Sequence, residues 1–475
     1  MKPVLSVSSE CAPLIKTGGL ADVAGALPAA MATQGWEMRT LLPGYRPVLA
    51  ELGRGRVVME EDDLFGGPAR IRGVTANGTK YLILDAPHLF DRDGGPYNDA
   101  AGRDWPDNPA RFAALSWMAA RIGAEGVGSW KPRVVHAHDW QAGFVPLYLK
   151  QRDREGPASI LTIHNMAFLG MAPANLRAAL RLPESGFNQE GYEFWDQISA
   201  LKAGLVWADH ITTVSPSYAR ELLTPDYGAG LDGLMRARAA DLSGILNGID
   251  LEAWNPANDP HIETYKSPGG KRRAKAALRA EFSLPETDGP LCVVVSRLSD
   301  QKGLDILLEA LPALIDRGGQ LALLGSGDKV LETRFRDAAN AHPNVAVHIG
   351  YDEAKSHRMI AGADAILVPS RFEPCGLTQL YGLRYGTVPI VAYTGGLIDT
   401  VIPATPMGLR AGVATGLQFH PVTSHALAGA LIEAVALYRQ PGIWAMLQKN
   451  GMRQEVGWEA SAPDYAALYE KMSRS

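Results

Sequence analysis

Val293–Leu308 reads VVVSRLSDQKGLDILL. A short β-branched run comes first, then a polar loop with Arg297 and Lys302, then an apolar helical periodicity from Leu304. A continuous apolar run bounded by turn residues marks a strand buried on both faces, as in a parallel sheet covered by helices. The chain opens the same way: Ser6–Val23, SVSSECAPLIKTGGLADV, sets a strand, a loop with lysine and glycine, and a helix. One such opening in each half predicts two doubly wound α/β domains.

The alternation continues on both sides. Strands are expected at Pro3–Val7, Lys80–Leu84, Arg133–His136, Ile160–Ile163 and His210–Val214, and again at Leu291–Val295, Gln320–Leu324, Val345–Ile349, Ala365–Val368 and Val388–Val391. Helices are expected at Asn108–Ile122, Leu304–Ile315 and Ser424–Leu437. Strands alternating with helices point to parallel sheets covered on both faces. The pattern breaks between Gly244 and Pro290, where NGID, NPANDP and SPGGKRRAKAALRAEF are turn-rich and then strongly charged. The basic part reads as a solvated helix. The boundary is therefore set near residue 244, giving 1–243 and 244–456. The tail GWEASAPDYAALYEKM reads as an amphipathic helix with Tyr465, Leu468 and Met472 on one stripe, closing the fold.

At 475 residues the chain exceeds one core. Its 46 Lys and Arg against 51 Asp and Glu give a net charge of -5, which excludes a general attraction to nucleic acid or anionic membrane. An anionic ligand must then be held by a few local cations. Three scattered cysteines, Cys11, Cys292 and Cys375, fit neither a zinc nor a disulfide spacing. With no presequence pattern and no long apolar run, the expectation is a cytoplasmic protein.

Chemistry-bearing residues gather after the strands. In SRLSDQKGL, Arg297 and Lys302 sit between a strand and a helix start, where free N–H groups and the helix dipole favour phosphate. Two cations there suit a diphosphate leaving group. LLGSGD follows another strand but lacks a full dinucleotide fingerprint. In VPSRFEPCGLTQLYGLRYG, Arg371, Glu373 and Cys375 precede a helix. A carboxylate at that helix start suits sugar hydroxyls. Cys375 lacks the His and Asn partners of a cysteine hydrolase. VVHAHDWQAGF offers His136, His138 and Asp139, and TIHNMAF offers His164. They read as a metal set or, preferably, as packed and ligand-binding histidines. Trp105, Trp140, Trp195 and Tyr97 could stack on sugars, though most tryptophans belong in the core. Tyr97, in the loop RDGGPYNDAAGRDW, is expected to be exposed on a long mobile wall.

Read together, KTGGLADVAGALP, YNDAAGRDWPDN, VVHAHDWQAG, TIHNMAFLG, GILNGID, SRLSDQKGLD, the segment from GYDEAKSHRMI to GTVPIV, TGGLIDTV and ATGLQF resemble the bacterial glycogen synthases, over the whole chain and in order. The resemblance implies the GT-B fold, two Rossmann-like domains facing across a deep cleft, with the C-terminal helix 457–475 crossing back to the first. It implies glucose transfer from ADP-glucose to the non-reducing end of glycogen or an α-1,4-glucan primer. Configuration is retained, and no metal or other cofactor is needed. It makes His164, Arg297, Lys302 and Glu373 catalytic. Lys16, Gly18, Gly19, Asp139, Asn247, Tyr351, Thr378, Gly395 and Gly396 would bind donor; Glu10, Asp22, Tyr97 and Asn165 would face the acceptor. In this reading the Lys16 loop meets the donor fully only when the domains close. Tyr381 stands where many retaining relatives carry a second glutamate. No nucleic acid or membrane partner is implied, and oligomeric state stays open. The alternatives are another nucleotide-sugar transferase or epimerase, and a glucan- or nucleotide-binding regulator without turnover.

Overall fold

The computed structural model describes residues 1–152 and 156–474. Contacts divide the chain into Met1–Leu246 with Trp458–Ser475, and Asn247–Gly457. Ser475, the end of the helix expected over 457–475, lies outside the described residues.

The first unit holds twelve strands among the described residues: β1 (Lys2–Val7), β2 (Trp36–Pro43), β3 (Arg56–Glu61), β4 (Ala69–Ala76), β5 (Thr79–Asp85), β6 (Val134–His138), β7 (Ala158–Ile163), β8 (Met171–Pro173), β9 (Glu193–Phe194), β10 (Gln197–Ser199), β11 (His210–Thr213) and β12 (Leu242–Gly244). Nine form one sheet in the order β12-β11-β7-β6-β1-β2-β5-β4-β3; the other three form a small antiparallel sheet, β8-β10-β9. The large sheet is parallel from β12 to β5, but β4 and β3 run antiparallel at its edge. That corrects the expectation of wholly parallel sheets. β3, RVVMEE, and β4, ARIRGVTA, expose Arg56, Glu60 and Arg70 among their apolar residues, as expected of strands with one wet face.

The central strands β1, β6 and β7 are almost wholly buried, and helices Gly19–Thr33 and Asn108–Glu125 cover them. Trp458–Met472 packs against Gly19–Thr33, burying Trp458, Tyr465, Leu468 and Met472 with Val23, Leu27 and Trp36. Its Tyr469 hydroxyl meets His136 Nδ1 at 2.7 Å.

The second unit holds β13 (Leu291–Val295), β14 (Gln320–Gly325), β15 (Val345–Ile349), β16 (Ala365–Val368), β17 (Val388–Ala392) and β18 (Leu417–Phe419). The order is β15-β14-β13-β16-β17-β18, all parallel. Counted from β13 this is 3-2-1-4-5-6, the Rossmann order, with its topological switch between β13 and β16. The basic helix, Lys271–Glu281, is not wholly solvated: Lys271 is buried.

Candidate functional site

In a doubly wound sheet ligands gather beyond the carboxyl ends of the strands at the switch point. In the second unit those ends carry the loops after β13 and β16. The first runs through Arg297, which is exposed and makes no ion pair among the described residues, to Lys302. Gly303 then adopts φ +60°, and a Cβ there would lie 2.1 Å from the Pro369 carbonyl oxygen. Only glycine lets this loop close onto the end of β16.

That closure sets Lys302 Nζ 2.6 Å from Glu373 Oε2, which also accepts from Ser370 Oγ at 2.8 Å. All three residues, with Thr378 and Ser296, line one small enclosed pocket. Glu373 and Ser370 are buried. The Glu373 carboxylate is thus held by an ammonium and a hydroxyl rather than only by the start of helix Thr378–Tyr385. Gly395 and Gly396 wrap the other side: φ is +47° at Gly395, and Cβ atoms there would lie 2.0 Å and 2.4 Å from the carbonyl oxygens of Glu373 and Cys375. The glycine pair is required by the Glu373 loop itself. Arg371 is committed elsewhere, to Asp305 at 2.6 Å and 2.8 Å.

Cys375 is buried, and burial raises its thiol to about 12, so it is no nucleophile. Nearby, Asn247 is buried with Oδ1 unpartnered among the described residues. An orphaned buried acceptor costs about 1–3 kcal/mol until a donor reaches it. Tyr351 is 75% exposed, with its hydroxyl on Glu353. Tyr381 stacks on Trp254 at 3.7 Å, and His357 stacks on the same indole at 3.8 Å. The ring at the second-glutamate position is therefore packing.

In the first unit the loops after β1, β6 and β7 meet. Buried Glu10 accepts from the Thr17 hydroxyl at 2.6 Å, from the backbone N–H groups of Thr17 and Gly18, and from Tyr97 Oη. It thereby shapes the KTGG loop. Gly18 is extended, and a Cβ there meets nothing within 4 Å among the described residues, so none of them demands glycine at this place. Gly19 starts the helix, and Lys16 pairs with Asp22 at 2.8 Å.

The expectation of an exposed Tyr97 is corrected. Its ring packs 5.8 Å from Phe112 and 6.4 Å from Trp140, and its hydroxyl is shared by Ser9 and Glu10. Nor is the loop around it a loose wall: Asp99 accepts from the Ala101 and Arg103 amides, and Arg92 is bidentate to Asp107. The dense apolar floor beneath it, not loop length, decides that order.

After β6, Asp139 takes the strained φ of +54° and accepts from the His164 and Asn165 N–H groups at 2.6 Å and 3.3 Å. Burial, opposed by these bonds and reinforced by the Glu10 charge, raises its carboxyl to about 7. His138 Nδ1 meets His164 Nε2 at 3.0 Å, and Ser6 Oγ lies 3.2 Å from His138 Nε2. Burial pulls His138 down to about 3 and His164 well below its ordinary value, so both rings are neutral at pH 7. One can then donate to the other. His136 is turned inward, bonded to Tyr469 and Thr162. Among the described residues no group of three or more His, Cys, Asp and Glu side chains is arranged to hold a metal ion.

The structure thus gathers Glu10, Lys16, Gly18, Gly19, Asp22, Tyr97, Asp139, His164 and Asn165 in the first unit, and Asn247, Arg297, Lys302, Glu373, Thr378, Gly395 and Gly396 at the switch-point side of the second. Tyr351 stands out as exposed. Sequence reasoning missed Ser370, and it named His138 without foreseeing the bond to His164. Ser370 had a signal, a hydroxyl three residues before a carboxylate directly after a strand.

Family models match two segments, "Starch synthase catalytic domain" at residues 3–237 and "Glycosyl transferases group 1" at 277–445. Over the full length of both chains, the sequence is 61% identical to a glycogen synthase of Paracoccus denitrificans and 59% identical to one of Jannaschia sp.. Among solved structures, the catalytic domain of starch synthase IV from Arabidopsis thaliana, bound to ADP and acarbose, covers the whole of both chains with a TM-score of 0.87 at 30% identity.

Proposed function

This chain belongs to the glycogen synthases, glycosyltransferases of the GT-B fold, and from that premise we propose that it moves glucose from ADP-glucose to the non-reducing 4-hydroxyl of an α-1,4-glucan with retention of configuration. The observation that carries the reading is the Lys302–Glu373–Ser370 cluster at the β13/β16 switch, in the same loop region as Arg297, which makes no ion pair among the described residues.

Arg297 and Lys302 neutralise the departing diphosphate, and Glu373 Oε1, the oxygen that neither Lys302 nor Ser370 occupies, accepts from a glucose hydroxyl. The bond from the anomeric carbon to the phosphate oxygen breaks as the acceptor oxygen bonds to the same face. The acceptor's proton passes to the leaving phosphate. Both cations act on charge that grows in the transition state, so their loss falls on kcat. Neutral His164, held by His138 and by the Asp139 loop, hydrogen-bonds the transferring sugar. Asn247 Oδ1 and Thr378 complete the donor contacts, with Lys16 and the Gly18–Gly19 loop on the first unit's side and Tyr351 against adenine. Glu10 and Tyr97 act as a frame for that loop; Asp22 and Asn165 meet the acceptor. No step calls for a metal, and the expected compartment is the cytoplasm.

The test is ADP release from ADP-glucose, with and without glycogen, in the presence of chelator. Glycogen-dependent release is expected, and Lys302→Ala and Glu373→Ala should fold and lose it by orders of magnitude. Near-normal turnover in both variants would sink the reading. UDP-glucose run in parallel tests the donor, and glycogen binding without ADP release would turn the reading toward a regulator.

A further inference from the structure

The hairpin β9–β10 turns on Trp195 and Asp196, whose φ angles are both positive, 51° and 56°. Two central residues with positive φ define the type I′ turn, which favours Asn-Gly because a bulky side chain is disfavoured there. Trp195 is also 79% exposed, more than any other large apolar side chain among the described residues. The rest of the hairpin is conventionally built: Ile198 and Tyr192 are buried, and the Asp196 N–H donates to Glu193 Oε1 at 2.8 Å. The indole stands edge-on to Phe194, 6.1 Å away, and this contact leaves most of its surface in solvent. Exposure of a single aromatic is ordinary, but exposure on a strained turn that disfavours it points to a ligand.

The position narrows the ligand. β10 pairs with β8, directly after the loop that carries His164 and Asn165. Ser199 Oγ donates to the Leu169 carbonyl at 2.9 Å, and the Ala200 N–H to the Gly170 carbonyl at 3.1 Å. The hairpin is therefore rigidly tied to that loop, which itself exposes Phe168. Asp196 and Gln197, both exposed, flank the indole with hydrogen-bonding groups. A flat apolar face rimmed by acceptors and donors matches a pyranose, whose ring face is C–H and whose edge is hydroxyl.

We propose that Trp195 is a stacking platform for a glucosyl ring of the α-glucan chain, a holding site apart from the site of transfer. The proposal rests on the glucan reading given above. It acts by keeping a long polymer near the enzyme, so it adds effective concentration for glycogen and nothing for an acceptor too short to reach it.

Migration through native gels containing glycogen tests it, together with the glycogen KM. Trp195→Ala should weaken retention and raise that KM about 3- to 10-fold, the worth of one aromatic stacking contact, and Trp195→Tyr should recover most of the loss. The double variant Trp195→Asn, Asp196→Gly relieves the turn, so it should melt at or above the parent temperature while binding glycogen as weakly as Trp195→Ala. Equal retention of parent and Trp195→Ala would overturn the platform alone. A parent that neither is retarded by glycogen nor extends it would overturn the glucan reading with it. A dimer that Trp195→Ala converts to monomer, with retention unchanged, would assign the indole to a protein contact instead.

Discussion

Ser370 donates one hydrogen bond to Glu373, and that bond fixes which carboxylate oxygen is left for a ligand. A hydrogen bond to a charged group is worth about 1.5–3 kcal/mol. Ser370→Ala should therefore lower kcat/KM for the donor roughly 10- to 100-fold at unchanged fold, with Ser370→Thr restoring most of it; steady-state kinetics checks both. Asp139 makes a second residue-scale prediction. Its carboxyl is raised from 3.8 to about 7, so between those values the folded chain keeps a proton that the unfolded chain has released. Stability from this group is then present at low pH and is lost as pH rises through about 7. Asn tolerates positive φ better than most residues. Asp139→Asn should fold and flatten that part of the pH profile, read as Tm from pH 4 to 8. A parallel decline in both proteins would refute the assignment.

At the scale of elements, the basic helix Lys271–Glu281 shows what packing adds to a charge run. Lys271 Nζ donates to the carbonyls of Ala361 and Tyr385 at 2.6 Å and 3.0 Å and meets Thr387 Oγ1 at 2.7 Å. It caps the ends of helices Glu353–Gly362 and Thr378–Tyr385, where cations suit the dipole. The Tyr265 hydroxyl also reaches both carbonyls, at 3.4 Å and 2.8 Å. Lys271→Met therefore removes their charged donor without orphaning them and should cost about 1.5–3 kcal/mol, or roughly 5–10 °C in Tm. Burial pulls this ammonium from 10.5 to about 7, so its destabilising share should fade as pH rises above 7 in the parent and be absent in the variant. None of this was legible in KRRAKAALRAE, because the acceptors lie far along the chain. The helix itself was legible, as were Leu291–Val295 and Val345–Ile349, whose apolar runs have no competing period. Trp36–Pro43 was missed because Glu37 and Arg39 interrupt its apolar residues, and β3 and β4 because edge strands expose their charges. At the candidate site, the loops bearing Lys302 and Glu373 could be found from strand–loop–helix order alone. The packing of Tyr97, the Ser370 contact and the His138–His164 bond could not, since each depends on which loops a strand order brings together.

For the whole molecule, the decisive feature is that the chain leaves the first unit near Leu246, builds the second, and returns at Trp458. The returning helix is part of the first unit's core. It carries Trp458, Ala462, Tyr465, Leu468, Tyr469 and Met472 into one cluster with Val4, Val23, Leu27, Met31, Trp36 and Met38. Tyr469 also stands edge-on to Trp36, 5.4 Å away, and bonds His136, whose ring lies 4.2 Å from that of His138. Removing residues 458–475 takes away several large apolar side chains, each worth about 1.5–3 kcal/mol when buried. That loss exceeds much of the 5–15 kcal/mol by which a native domain is stable. The second unit keeps its own core and its own switch-point pocket. The truncated chain should therefore lose the first unit's cooperative melting step while keeping a transition that ADP raises, by about 2.7 kcal/mol at a hundred times Kd. Tyr469→Phe, a milder change, should cost only about 1 kcal/mol in the first-unit step and leave the ADP-linked one alone. Calorimetry with and without ADP reads both, and a truncated chain whose two transitions match the parent's would show that the returning helix is not part of that core.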